Sequence, residues 1–240
     1  ADAFRRLAGE SPEPTLVVTG TGSGKTEAFL YPIINYCLSH PEAGKPGIKA
    51  IILYPMNALA NDQASRLAKL ITESSLPIRA GKYTGESDSE AAGADTVTEH
   101  RLIESRIAMQ ENPPDILLTN YKMLDELLLR PAEQEMMAKS ANTLRYMVLD
   151  EFHTYDGAQG TDVALLLRRL GLFLKSHSSL PLTESESGYS LGRVVPVATS
   201  ATLGSKEDPS AMLSFAETIF GRPFDASAVV TESMMSLDEW

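Results

Sequence analysis

The chain has 240 residues, 43% of them hydrophobic, which suits one sizeable buried core and a single domain. Its one cysteine, Cys37, excludes an internal disulfide and a cysteine-based zinc site and fits a reducing cytoplasm, and no apolar run reaches the length of a membrane-spanning helix. With 21 basic against 32 acidic residues the net charge is −11, the opposite of the basic footprint that nucleic-acid-binding proteins usually carry.

Strands are predicted over 15–19, 49–54, 78–83, 115–119, 145–150 and 193–199, nearly all of them continuous Ile, Leu and Val runs. Such runs fit a mainly parallel sheet covered on both faces, an α/β fold. Helices are predicted over 27–38, 58–72, 97–109, 121–129, 163–175 and 209–220, the last with Asp208 as N-cap, Pro209 at its first position and Gly221 at its end. Two stretches break the alternation: 87–96 is acidic and small, and 176–192 is Ser-rich with Pro181 and two glycines. Both are expected to be mobile loops, the second either plain surface or a strand-gripping insertion.

Three motifs stand where apolar runs end. TGTGSGKT at 19–26 places Gly20, Gly22 and Gly24 in a strand-to-helix turn. Backbone N–H groups converge on an anion there, and glycine keeps the approach open. In such a loop Thr21, Gly22, Ser23 and Gly24 surround the phosphates of ATP, Lys25 reaches the β- and γ-phosphates, and the Thr26 hydroxyl ligates Mg2+. The strict pattern has Gly where this chain has Thr19. LDEFH at 149–153 delivers Asp150 and Glu151 to the C-terminal end of a buried strand. Adjacent carboxylates there are costly to desolvate unless a cation or donors face them. Asp150 would hold the magnesium and Glu151 would orient the attacking water. TSAT follows at 199–202.

Taken together these motifs resemble those of superfamily 2 DEAD/DEAH-box helicases. DEFH is similar to their acidic box, and TSAT to the motif in which Ser200 and Thr202 link the ATP site to the nucleic-acid groove, with His153 coupling nucleotide state to it. YPMNALANDQ at 54–63, YTGES at 83–87 and LLTNYKMLD at 117–125 resemble their strand-binding motifs, which makes Asn57, Ala58, Thr84, Gly85, Thr119 and Asn120 the implied nucleic-acid contacts. The family often has Arg or Lys where this chain has Asn57, so a phosphate contact there is reduced to a hydrogen bond. HTYDGAQGTDVALLLRRL at 153–170 is similar to the large bacterial and archaeal DNA helicases of the Lhr and MrfA type. The likeness runs from Thr15 to about Phe224.

The resemblance implies a three-layer RecA-like P-loop NTPase domain over 1–240, the first of two such domains in a longer, cytoplasmic protein. It implies an ATP-dependent helicase acting on single-stranded or tailed DNA, in repair or phage defence, and needing a second RecA-like domain. Superfamily 2 motors grip a strand largely through backbone amides and small hydroxyls, which reconciles the acidic charge with that partner. A duplex-DNA translocase and a nucleotide-gated scaffold without turnover are the alternatives, the latter disfavoured because Lys25, Asp150 and Glu151 are all present. Tyr155, Asp156, Gly157 and Gln159 either shape the turn after the acidic box or touch the strand. Arg168 and Arg169 either meet phosphates or lie on a solvated or ion-paired helix face.

Overall fold

A computed structural model describes residues 2–20, 24–40, 45–85, 94–201 and 209–231. In chain order the elements are α1 (Asp2–Ala8), β1 (Thr15–Val18), α2 (Lys25–Ser39), β2 (Ala50–Leu53), α3 (Asn57–Glu73), β3 (Ala80–Tyr83), α4 (Arg106–Glu111), β4 (Ile116–Thr119), α5 (Tyr121–Leu127), α6 (Pro131–Lys139), β5 (Tyr146–Leu149), α7 (Gly157–His177), α8 (Glu184–Gly188), β6 (Val195–Ser200), α9 (Pro209–Phe220) and β7 (Val229–Thr231). The strands form one sheet in the order β3-β4-β2-β5-β6-β1-β7, every pairing parallel.

The period of two along each strand sends alternate side chains to opposite faces, and both faces are apolar. Ala50, Ile52, Tyr146, Val148, Val195 and Val197 pack with α1, α2 and α3 on one side. Ile51, Leu53, Met147, Leu149 and Ala198 pack with α5, α6, α7 and α9 on the other. Helices therefore cover both faces, which is the three-layer α/β/α RecA-like arrangement expected from the sequence. Cys37 lies in the first of these cores, where burial pushes its thiol up to about 12.

Several expectations are corrected. The helix expected over 97–109 begins only at Arg106: Ile103 pairs with Gly81 alongside β3, with Ile103 N donating to Ala80 O at 3.0 Å and Lys82 N to Ile103 O at 2.8 Å. Leu102 and Ile103 then face opposite cores, and Ser105 caps α4 by accepting from Ala108 N. Edge pairing thus outweighs a locally helical pattern.

The mobile loop expected over 176–192 instead holds α8, closed by a capping box in which Thr183 accepts from Glu186 N and Glu186 accepts from Thr183 N. Lys175 Nζ donates to Ser187 O and Tyr189 O, and a Cβ on Gly171 would stand 1.8 Å from Ser190 O, so glycine permits this close approach. The other stretch expected to be mobile falls mostly outside the described residues, as does Asp208. Besides α8, three elements are additional to those predicted: α1, α6 and β7, the last pairing with β1 from Leu16↔Val229 to Val18↔Thr231. Arg6 of α1 bonds Pro14 O and Ser227 Oγ and pairs with Glu13, tying the first helix to the segment before β7.

Candidate functional site

Because the sheet is entirely parallel, the C-terminal ends of all the strands lie on one edge, where ligands bind in open α/β sheets. The strand order sorts the motifs along that edge. β5, β6 and β1 are neighbours, so the acidic box, residues 199–201 and the described residues 19–20 that follow β1 lie side by side. β3, β4 and β2 are neighbours on the other half, gathering Gly85, Asn120 and Asn57. At about 5 Å per strand, β2 and β1 stand roughly 15 Å apart.

Gly24 takes a left-handed conformation (φ 84°, ψ 26°) that favours glycine and opens α2 directly at Lys25. Lys25 Nζ lies 3.2 Å from Glu151 Oε1, with the two side chains 10% and 26% exposed. Asp150 follows β5, is 4% exposed, and anchors its backbone N–H on Leu53 O at 3.0 Å. Burial raises the Asp150 carboxyl above its ordinary range, and Glu151 adds to the rise, while hydrogen bonding from Thr199 and the Lys25 charge oppose it.

Glu151 turns the chain with φ 48° and ψ 48°, a left-handed conformation strained for a residue with a Cβ. The turn is secured from below: Phe152 is fully buried against Phe215 at 4.9 Å, and Tyr155, also fully buried, donates to Leu53 O at 3.3 Å. Tyr155 therefore shapes the turn, whereas Asp156 and Gly157 are exposed. His153 Nδ1 sits 3.2 Å from Ser200 Oγ and 3.6 Å from Glu151 Oε2. Thr21, Gly22, Ser23 and Thr202 lie outside the described residues.

Thr199 did not stand out in the sequence. Its fully buried hydroxyl donates to Asp150 Oδ1 and accepts from Glu151 N at 3.4 Å. The signal available was its position one residue before Ser200, on a strand in parallel register with β5.

On the other half of the edge, Asn120 Nδ2 donates to Asn57 Oδ1 at 2.7 Å, and Asn120 Oδ1 caps α5 by accepting from Met123 N at 2.9 Å. Ala58 and Gly85 are exposed. Thr84 and Thr119 are both buried, and the Thr119 hydroxyl donates to Tyr83 O at 2.6 Å. Arg169 pairs with Asp125 and Arg168 donates to Thr218 O at 3.1 Å, both on the exposed face of α7.

A lysine at a glycine-led helix start thus faces an adjacent carboxylate pair whose first member is desolvated, the arrangement the sequence expects of a P-loop nucleotide site. The DEAD/DEAH box helicase family matches residues 2–208, and the chain belongs to that family. It is 30% identical to Druantia protein DruE of Escherichia coli (strain UMEA 4076-1), over 87% of this chain and 16% of that protein. It is also 30% identical to the uncharacterized ATP-dependent helicase YprA of Bacillus subtilis (strain 168), over 71% of this chain and 20% of that protein. Among solved structures, the DUF1998 helicase MrfA bound to DNA matches with a TM-score of 0.69 and 26% identity, over 96% of this chain and 26% of that one. The chain thus spans from 16% to 26% of the length of these three proteins. Among the described residues no helix is long and apolar enough to cross a membrane, and no cluster of three or more His, Cys, Asp or Glu could hold a metal ion.

Proposed function

We propose that the chain is the first RecA-like motor domain of a longer ATP-dependent DNA helicase. The observation that carries the reading is the convergence of Lys25, Asp150, Glu151 and the His153–Ser200 pair on one sheet edge, with the Asn57–Asn120 pair on the other half of that edge.

The donor set fits magnesium. A desolvated Asp150 carboxylate is compensated by a cation, and the Thr26 hydroxyl stands at the start of the same helix as Lys25. Asp150 and Thr26 would hold the ion, which when bound neutralises charge on the phosphate oxygens. Lys25 would turn from Glu151 to the β- and γ-phosphates as ATP enters. Released from that ion pair, the Glu151 carboxylate would accept a hydrogen bond from the attacking water and orient it in line with the γ-phosphorus. Such transfer is mostly positioning and charge stabilisation. A domain lacking its partner wall would accordingly bind ATP and turn it over slowly.

His153 would report nucleotide state, because it contacts both Glu151 and Ser200. On the strand-binding half, the Asn57–Asn120 pair and the exposed backbone at Gly85 would meet the phosphates of one DNA strand. The DNA-bound helicase MrfA supports that partner for the proposal.

Unwinding is tested with the full-length protein on a tailed duplex with one labelled strand. ATP-dependent release of the strand is the expected result. Displacement of a triplex-forming strand without duplex opening would favour a duplex translocase instead.

A further inference from the structure

β6 ends in two consecutive hydroxyl residues that serve different parts of the acidic turn. Ser200 faces His153, whereas Thr199 faces Asp150 and Glu151. Thr199 is fully buried and in parallel register with Val17 of β1, among the apolar neighbours Val197 and Ala198. A valine there would meet the same strand preference equally well. Only the hydroxyl distinguishes threonine, and that hydroxyl donates to Asp150 Oδ1 while accepting from Glu151 N at 3.4 Å. Glu151 is the residue whose backbone is held at φ 48° and ψ 48°.

We propose that Thr199 is a positioning residue for the acidic pair, fixing the Asp150 carboxylate for the cation and the left-handed Glu151 backbone for the attacking water. The inference rests on the nucleotide-site reading given above. With one hydroxyl holding both members, carboxylate orientation and the turn that carries the second carboxylate are set together. Being fully buried, Thr199 acts through Asp150 and Glu151 and not on the nucleotide itself. Groups that orient a metal ligand in this way are commonly nearly as important as the ligand.

The test compares wild type, Thr199→Val and Thr199→Ser by titrating a fluorescent ATP analogue with and without Mg2+, then by steady-state hydrolysis. Metal-free binding should be unchanged in the valine variant, while the gain in affinity on adding Mg2+ and kcat each fall by about 10- to 100-fold, KM for the magnesium-bound nucleotide rising with the lost affinity. The serine variant should recover both. Should Thr199→Val fail to fold, Thr199→Ala against Thr199→Ser gives the same comparison, since those two lack the same methyl group and differ in the hydroxyl alone. A folded valine or alanine variant with the wild-type magnesium response and kcat overturns the proposal. So does a serine variant as impaired as the valine or alanine one, because packing would then be the cause. A wild-type protein that binds no nucleotide under either condition would instead overturn the site reading, and the role of Thr199 with it.

Discussion

Glu151→Gln separates what the second carboxylate does for the fold from what it does for chemistry. Glutamine keeps the side-chain volume, tolerates the same left-handed backbone to the same degree, and retains an oxygen to accept from Lys25 at the 3.2 Å position. Folding stability should change by no more than about 1 kcal/mol, the net worth of an ordinary hydrogen bond. The substitution also removes a negative charge beside Asp150 that pushes the Asp150 carboxyl upward, and one fewer charge at the phosphate site leaves ATP affinity equal or improved. What disappears is the base that orients water. A positioned general base contributes about 10²- to 10⁴-fold, or roughly 3–5 kcal/mol of barrier. The assay is single-turnover hydrolysis alongside nucleotide binding and thermal melting. A folded variant that hydrolyses ATP at close to the wild-type rate would refute the role of Glu151. One that loses binding and turnover together would show that Glu151 holds nucleotide instead of water.

Lys25→Ala should remove ATP binding measured by calorimetry, and retained affinity would count against the phosphate loop. Asp150→Asn should stop hydrolysis yet raise the melting temperature of the magnesium-free protein at neutral pH, by about 2–4 °C for each kcal/mol relieved. The sign follows from the raised Asp150 carboxyl. Stability from its protonated form is present below the ordinary carboxylate value and lost as pH rises through the higher folded-state value, so the gap should close on acidification. A lower melting temperature at neutral pH would contradict this account. Tyr83 donates to Glu133 at 2.9 Å, and burial first, then Glu133, pushes the phenol up to about 12. Tyr83→Phe leaves that 5% exposed carboxylate without its donor and should cost about 1–3 kcal/mol in urea unfolding; an unchanged midpoint would contradict the assignment.

The sheet was legible because each central strand is a continuous apolar run, and each such run is buried on both faces. β7 escaped because Val229 and Val230 are only partly buried, Thr231 is exposed and the strand is paired on one side, so Val229 and Val230 carry no distinguishing pattern. The segment 176–192 misled because composition reports flexibility, whereas its order comes from Lys175, Gly171 and the Thr183–Glu186 capping box, partners that become visible only in three dimensions. The acidic box and Lys25 were readable since their chemistry depends on residue type at fixed spacing. The burial of Thr119 and Thr84 was not legible for the opposite reason. A motif match places a residue at a strand end but leaves open whether its hydroxyl faces solvent or the neighbouring strand. Thr199 was missed on the same ground, because its importance lies in a cross-strand contact with β5.

The most direct test is steady-state ATP hydrolysis by the full-length protein, measured without nucleic acid and with single-stranded DNA, duplex DNA or RNA, with Glu151→Gln as the blank. The account predicts hydrolysis stimulated most by single-stranded DNA and absent from the variant. Absence of hydrolysis under every condition would contradict it and leave a nucleotide-gated scaffold in its place.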